Sequence, residues 1–257
     1  MKNLDTITLS FNQIGGSIPD GLFKIPTLRT INLSYNKLVE AIPVDLGEAS
    51  NLEILNLEGN KLNGRISSSI AGATSLFYLN LRSNQVQGGL PVELFSLPLQ
   101  ELLIGGNEMT GNLPTEMGLA TDLTYLELGP NLFTGTIQRS IGDLTNLVSL
   151  TIEGVDMLEG RLPASYGVQL TNLVEMVITG TKIRGNIPGF FGGMTNLEKL
   201  DLSNNALRNE IPLELGNLSK LSKSAHRETF NCLILWNFRR YTQNRLYFVL
   251  ASQNRFT

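Results

Sequence analysis

The feature that most constrains the fold is a repeat of about 24 residues that runs through most of the chain. A leucine opens each unit, and the nine opening residues are Leu4, Leu28, Leu52, Leu76, Leu99, Leu123, Leu147, Leu173 and Leu197. A fixed period of this length is typical of a solenoid, because one unit cannot bury its apolar face alone and a continuous core forms only when units stack. The repeat therefore predicts one elongated domain of nine coils, which we number from the N-terminus.

Each unit combines a short strand with an asparagine. In the fifth coil, Leu99, Leu102 and Ile104 follow the spacing L-x-x-L-x-L. Its last part alternates between apolar and variable residues, which predicts a short strand with one buried face. Asn107 follows three residues later, and its side chain can bond backbone groups of its own and the neighbouring coil. Seven coils share this asparagine, so we predict a ladder of hydrogen-bonded side chains formed by Asn12, Asn36, Asn60, Asn84, Asn107, Asn131 and Asn205.

The seventh and eighth coils depart from this pattern. The seventh is two residues longer than most, and Asp156 is the nearest candidate for its asparagine. Residues 167–169 are expected to lengthen the loop that follows. The eighth coil has Thr181 at the ladder position. We therefore expect the ladder to be weakest from Val155 to Thr181.

A glycine and a proline complete the unit. Glycine lets the backbone turn with positive φ, and seven coils have it at one position. Glu40 and Asn209 stand there in the second and ninth coils, so these turns are expected to use another conformation, which Asn209 tolerates better than Glu40. Proline holds another position in seven coils. Because its ring fixes φ, the pair Leu113-Pro114 is expected to start a second extended segment.

These positions resemble the plant-type leucine-rich repeat, L-x-x-L-x-L-x-x-N-x-L-x-G-x-I-P-x-x-L-G-x-L, of receptor-like kinases, receptor-like proteins and polygalacturonase-inhibiting proteins. The resemblance runs from Leu4 to about Leu221. It implies an α/β solenoid with the L domain-like fold, a right-handed superhelix with a parallel β-sheet on its concave face. A second extended segment at G-x-I-P and a short helical turn would complete each coil. It also implies a module that binds proteins or peptides in an extracellular or membrane-associated protein.

The repeat stops after residue 221, and residues 222–257 have another composition. They lack glycine and proline but contain the only histidine, cysteine and tryptophan of the chain, His226, Cys232 and Trp236. One interpretation is a cap or amphipathic helix over the last coil. The other is a spurious segment, produced by a missed splice site or frameshift, which the abrupt change in composition favours. We therefore divide the chain into a solenoid over 1–221 and a non-repeat basic tail over 222–257.

The residues leave the compartment undecided. The chain starts directly at the first repeat, without the apolar core of a signal peptide. The tail holds no apolar segment of about 18 residues, which a membrane span would require. A single cysteine cannot form an intramolecular disulfide. The residues therefore give no sign of the location that the resemblance implies, and they do not indicate an oligomeric state.

The charge of the solenoid restricts the class of partner. Residues 1–221 contain 14 Lys and Arg against 22 Asp and Glu, a net charge of −8. Residues 222–257 contain 6 against 1, a net charge of +5. Nucleic acid and anionic membrane surfaces attract basic patches, so the acidic solenoid argues against both as partners.

No arrangement of residues predicts catalysis or a cofactor. His226 and Cys232 both lie in the tail and have no acidic partner at a fixed spacing. One histidine and one cysteine cannot make a zinc site. The glycines recur with the repeat and do not form a phosphate-binding motif. We therefore predict a protein that is not an enzyme and binds neither metal nor cofactor.

Function then depends on the variable strand positions, which alternate with buried leucines and must face outward on the concave side. In the second half of the solenoid these positions bring acidic side chains together with tyrosine and leucine. The predicted ligand-binding residues are Tyr78, Glu101, Leu103, Tyr125, Glu127, Glu153, Glu175 and Asp201. Aromatic and apolar side chains among charges are typical of interfaces, so this face is expected to bind a protein or peptide with basic groups.

Three functions stay open at this point. The first is a fragment of a receptor-like ectodomain that binds a peptide or protein. The second is a stand-alone intracellular scaffold or inhibitor-type binder, which the lack of a signal peptide and disulfides would suit. The third is an enzyme, which would need a site that the sequence does not show. A solvated concave face without a specific ligand is the alternative to any binding role.

Overall fold

The computed structural model describes residues 3–221, and within them every coil contributes one strand to a single parallel sheet. The nine strands pair in chain order and are Thr6–Thr8, Thr30–Asn32, Ile54–Asn56, Tyr78–Asn80, Glu101–Leu103, Tyr125–Glu127, Ser149–Glu153, Glu175–Thr179 and Lys199–Asp201. Neighbouring strands are in register at the second leucine of the repeat, as between Leu102 and Leu126. This stacked sheet confirms the predicted leucine-rich repeat solenoid. The predicted tail, residues 222–257, lies outside the described residues.

A continuous apolar core fills the space behind the concave sheet. In the fifth coil, the side chains at the apolar repeat positions are at most 2 % exposed, and they are Leu99, Leu102, Ile104, Met109, Leu113 and Met117. The equivalent positions belong to the same core in the neighbouring coils. Each coil buries this face against the coils beside it, so the hydrophobic stabilisation of the fold comes mainly from stacking.

Each coil also has a second strand, which follows the ladder position. Within residues 3–221 these side strands form parallel sheets of three and six strands, joined by one bridge between Arg65 and Gln87. They are Gly15–Gly16, Lys37–Ala41, Lys61–Asn63, Gln87–Gly88, Glu108–Asn112, Leu132–Thr136, Leu158–Gly160, Lys182–Gly185 and Ala206–Leu207. In the fifth coil the extended segment therefore starts at Glu108, earlier than the predicted Leu113-Pro114. Proline has no N–H to donate to a ladder, which explains why the side strand ends before it.

A short helical turn on the convex side closes each coil before the next leucine. Eight of the nine turns within residues 3–221 are 3-10 helices, and they are Leu22–Lys24, Val44–Glu48, Ser68–Gly72, Val92–Ser96, Thr115–Leu119, Arg139–Asp143, Gly189–Gly193 and Leu213–Asn217. Five of these turns directly follow a proline, whose fixed φ suits the entry to a helical turn. The remaining turn, in the seventh coil, is an α-helix.

The α-helix of the seventh coil, Ser165–Gln169, absorbs one of the two additional residues of this unit, and the other lies between Val155 and Leu158. Its backbone closes with an α-type hydrogen bond, in which the Leu170 N–H donates to the Tyr166 carbonyl at 3.0 Å. The Tyr166 ring is fully buried, and its hydroxyl donates to the Gln138 carbonyl of the sixth coil at 2.7 Å. Burial raises the pKa of this phenol well above its usual value. The prediction that residues 167–169 lengthen a loop is wrong, because the additional length completes a helical turn.

The ladder asparagines bridge neighbouring coils. The Asn60 amide nitrogen donates to the Leu57 carbonyl of its own coil and to the Leu33 carbonyl of the preceding coil, both at 3.0 Å. Its amide oxygen accepts the Leu38 N–H of the preceding coil at 3.0 Å. The same three contacts recur at Asn36, Asn84, Asn107 and Asn131. Each of these side chains satisfies three backbone groups that no strand pairs.

The ladder is interrupted in the seventh coil. Val155 occupies the ladder position there, three residues after Ile152, and it is fully buried, whereas Asp156 is exposed. The prediction that Asp156 replaces the ladder asparagine is therefore wrong. Val155 has no polar side-chain group that could make the hydrogen bonds of an asparagine. In the eighth coil, the Thr181 hydroxyl donates to the Asn205 amide oxygen at 2.5 Å and accepts the Ile183 N–H at 3.2 Å.

The turns at Glu40 and Asn209 use the same conformation as the glycine turns. Glu40 has φ of 67° and Asn209 has φ of 66°, within the left-handed region that the glycines at this position occupy. The expectation that these turns adopt another conformation is wrong, because the stacked neighbours impose one path on every coil. The Cβ of Glu40 is sterically strained at this positive φ, whereas asparagine adopts the left-handed region more readily.

Replacing Glu40 by glycine is expected to raise the free energy of unfolding by about 1 kcal/mol, because it relieves a positive φ at an exposed side chain. Urea denaturation of the two proteins measures the difference. Asn209→Gly is the matched control and should gain less, because asparagine adopts this conformation more readily and its amide donates to Asn186 at 2.5 Å. A loss of stability in Glu40→Gly would contradict the assigned strain.

Candidate ligand-binding face

The first and third residues of each concave strand face outward, because the second is the apolar residue that faces the core. On the first of these columns, Tyr78, Glu101 and Tyr125 are neighbours in register. Tyr125 is 43 % exposed, whereas Tyr78 and Glu101 are half-buried. Adjacent parallel strands lie about 4.8 Å apart, so a single extended ligand can contact several coils at once.

Leu103 does not project into solvent as expected. It is only 7 % exposed, and its neighbours in register on the same column are Asn80 and Glu127. Because adjacent strands lie about 4.8 Å apart, the side chains on both sides pack against an apolar side chain between them. The prediction that Leu103 is an exposed anchor for a ligand is therefore wrong.

An ion pair crosses the centre of this face. Arg82 of the fourth coil donates to the carboxylate of Glu127 in the sixth coil, through Nε at 2.9 Å and through Nη2. This hydrogen bond raises the pKa of the Arg82 guanidinium. The pair passes over Gly105 of the fifth coil, where a Cβ would lie 2.3 Å from Glu127 Oε1. The missing side chain at Gly105 therefore makes room for an interaction between coils that are not neighbours.

Ionic pairing leaves fewer free acidic groups than the sequence indicates. The Glu175 carboxylate accepts from the Lys199 ammonium at 2.5 Å. Asp201 accepts the Ser203 backbone N–H at 2.9 Å and is half-buried. Within residues 3–221, Glu101 and Glu153 form no ion pair. Of the five predicted acidic side chains, Glu127 and Glu175 are thus neutralised by ion pairs, and Glu101 is the unpaired one in register with Tyr125.

A polar network that sequence reasoning missed covers the second to fourth coils. The Tyr35 hydroxyl donates to Glu58 Oε1 at 2.6 Å, and this hydrogen bond raises the pKa of Tyr35. The Asn80 amide nitrogen donates to Glu58 Oε2 at 3.0 Å and to the Tyr78 hydroxyl at 3.3 Å. A signal was present, since Glu58 and Arg82 occupy a column that is mostly Ser, Gly or Thr in the other coils.

Within residues 3–221, no set of three His, Cys, Asp and Glu side chains is placed to hold a metal ion. No helix of this part is both long and apolar enough to cross a membrane. His226 and Cys232 lie outside the described residues.

Comparison with protein families identifies the repeat at both ends of the solenoid. A family model described as "Leucine rich repeat" matches residues 2–62, and a second model with this description matches residues 196–218. A comparison with curated proteins gives no match.

Solved structures align with most of the chain. A TDR receptor is 31 % identical with a TM-score of 0.83, over 85 % of this chain and 38 % of that chain. The Arabidopsis receptor kinase HAESA, in complex with a peptide hormone and a co-receptor, is 32 % identical with a TM-score of 0.80, over 84 % and 36 %. A leucine-rich repeat protein of Leptospira interrogans is 30 % identical with a TM-score of 0.74, over 86 % and 54 %. The chain thus spans less than two fifths of the length of these two receptor structures.

These matches agree with the repeat itself. The asparagine after the strand, the following glycine and the proline before the helical turn each recur in seven of the nine coils, at plant-type spacing. The receptor structures share the stacked parallel strands at TM-scores of 0.80 or more. The chain therefore belongs to the leucine-rich repeat proteins, and its repeats are of the plant type.

Proposed function

We propose that the chain binds a protein or peptide through the concave face of coils four to nine. The observation that carries the proposal is Tyr125, an aromatic ring that is 43 % exposed near the middle of the sheet. Exposed aromatic rings anchor interfaces because they bury a large area at a small cost in conformational entropy. The structure of HAESA in complex with a peptide hormone supports this class of ligand.

The unpaired carboxylates give the ligand its expected charge. Glu101 lies beside Tyr125 in register, and Glu153 lies at the end of the strand of the seventh coil. Each carboxylate alone adds little to the binding free energy. Several of them on an acidic solenoid attract cations over a distance that decreases as the salt concentration rises. We therefore expect a basic or partly basic ligand whose affinity depends mainly on contact with the aromatic ring.

The same comparisons support the further proposal that this chain is a segment of a receptor-like ectodomain. Both receptor structures match its repeats at more than 30 % identity. Full-length transcripts test this proposal, because a membrane span encoded in the same product is expected for a receptor. A product that contains the solenoid alone would favour an inhibitor-type binder instead.

Removing the Tyr125 ring is expected to weaken ligand binding at least tenfold. Peptides selected from a displayed random library on the chain provide the ligands, and their affinities are then measured for Tyr125→Ala. The double variant Glu101→Lys and Glu153→Lys should weaken the binding of basic peptides further, because it reverses two charges of the face that no ion pair neutralises within residues 3–221.

Reversals on the convex turns are the control for these variants. Glu116 and Asp143 lie in the 3-10 turns of the fifth and sixth coils. The double variant Glu116→Lys and Asp143→Lys changes the net charge by the same amount, so it separates a local contact from a general charge effect. Equal losses on both faces, or peptides that bind without Tyr125, would show that the concave face is not the site.

A further inference from the structure

Three exposed arginines come together around one glycine of the side strands. The Arg161 side chain of the seventh coil crosses over Gly185 of the eighth, where a Cβ would lie 3.4 Å from Arg161 Cγ and 3.5 Å from its Nε. Arg184 precedes this glycine in the chain, and the Arg208 N–H of the ninth coil donates to the Gly185 carbonyl at 2.8 Å. We call Arg161, Arg184 and Arg208, whose side chains are all exposed, the arginine cluster.

The register of the side strands places two of these arginines side by side. Gly160 is opposite Ile183, so the residues that follow them, Arg161 and Arg184, lie on adjacent coils about 4.8 Å apart. Ile183 faces the core, so Arg184 faces outward. Like charges on neighbouring strands repel each other, and an anion between them relieves the repulsion. The seventh and eighth coils both have a described coil on either side, so this pair does not depend on where the solenoid ends.

The protein itself does not neutralise the arginine cluster. Within residues 3–221, none of its three side chains forms an ion pair, although residues 1–221 have a net charge of −8. Glu159 lies opposite Lys182 in register, and Glu210 is exposed two residues after Arg208. A guanidinium group carries five N–H donors in a planar fork that matches the two oxygens of a carboxylate. The cluster therefore presents these forks to solvent without an ionic partner.

We propose that the arginine cluster binds an acidic segment of a partner protein through the carboxylates of Asp or Glu. Alternate side chains of an extended segment lie about 6.8 Å apart, a spacing that the flexible arms of Arg161 and Arg184 can match, each with a bidentate pair. Nucleic acid and anionic membranes are less favoured, because the acidic solenoid repels surfaces of dense negative charge. This site lies on the side strands, so it stands whether or not the concave face binds a ligand.

The probe for this site is a rhodamine-labelled hexa-aspartate peptide, titrated against the full chain by fluorescence anisotropy at about 0.1 M salt. The double variant Arg161→Gln and Arg184→Gln is expected to weaken binding about tenfold. Its melting temperature should stay the same or rise, because the substitutions remove a repulsion and no ion pair. The double variant Arg161→Lys and Arg184→Lys keeps the net charge but loses the planar forks, so it should also bind several-fold more weakly.

The double variant Arg65→Gln and Arg139→Gln is the control and changes the net charge by the same amount. Arg65 crosses over Gly88 as Arg161 crosses over Gly185, with Cγ 2.7 Å from a Cβ at Gly88, but its neighbour in register is Gln87. Arg139 is exposed in a convex turn. The control should therefore bind hexa-aspartate within about twofold of the unchanged chain. Equal losses in the two glutamine variants would overturn the proposal, since the probe would then respond only to net charge.

The basic tail needs its own control, because residues 222–257 have a net charge of +5. The titrations are therefore repeated with Arg239, Arg240 and Arg245 changed to Gln in every protein. Affinity that disappears with these changes would overturn the proposal, as would failure of the unchanged chain to bind hexa-aspartate. Dextran sulfate that binds through Arg161 and Arg184 while hexa-aspartate does not would overturn the acidic protein segment in favour of an anionic polysaccharide.

Discussion

Asn131→Ala is expected to lower the free energy of unfolding by about 2 to 4 kcal/mol, because it leaves the Met109 N–H and the Leu128 carbonyl without partners, whereas the Ile104 carbonyl keeps its bond from Asn107. The Asn131 side chain is 4 % exposed. It accepts the Met109 N–H at 2.9 Å and donates to the carbonyls of Ile104 at 2.9 Å and Leu128 at 2.7 Å. Two of these groups belong to the preceding coil, so the substitution weakens a coil and the interface before it. Urea denaturation measures the loss.

Asn12→Ala is the matched control for this ladder position. Asn12 donates only to carbonyls of its own coil, those of Leu9 and Ser10 at 3.1 Å, and it is exposed. Water can replace both contacts, so the cost should stay below about 1 kcal/mol. If the two substitutions cost the same, the bridging role of the ladder is refuted.

Gly192→Ala is expected to destabilise the solenoid by about 3 kcal/mol, because no space exists for one added methyl group. A Cβ at Gly192 would lie 2.1 Å from the Glu214 carbonyl oxygen. This oxygen belongs to the helical turn of the next coil, so it cannot move aside as a flexible side chain would. In a domain of this size, the loss corresponds to a fall in melting temperature of about 6 to 12 °C. Differential scanning calorimetry measures the fall.

Gly216 occupies the equivalent position in the ninth coil and is the control. A Cβ there would meet no atom of the described residues within 4 Å, and Gly216 does not have positive φ. Gly216→Ala should therefore change the melting temperature by no more than about 2 °C, and the reduced freedom of the unfolded chain favours a small gain. A fall as large as that of Gly192→Ala would show that crowding by the next coil is not the cause.

Features that depend on spacing within one coil could be predicted from the sequence. The strand over 101–103 and the buried Ile104 follow from the alternation of leucines. The bonding role of Asn107 follows from its distance to that strand, because local geometry places the amide beside its own carbonyls. Such positions are constrained by a few neighbouring residues, and each coil repeats the same constraints.

Features that depend on contacts between coils were not predictable in the same way. The sequence separates Arg82 from Glu127 by 45 positions, and only the close packing at Gly105 brings their side chains together. Leu103 is buried between its neighbours in register, Asn80 and Glu127, which its own coil does not reveal. At Glu40, stacking overrides the backbone preference of the residue itself. The candidate site was less predictable than the fold for the same reason.

The Arg82–Glu127 ion pair also has a consequence for the stiffness of the solenoid. Solenoids are commonly treated as linear arrays in which each repeat is coupled only to its nearest neighbours. This pair couples the fourth coil to the sixth and skips the fifth. Spreading of coils four to six pulls directly on this ion pair, in which the fifth coil takes no part. A ligand that extends from Tyr78 to Tyr125 would therefore meet two side chains at a fixed separation, on a segment that resists change in length more than a simple array.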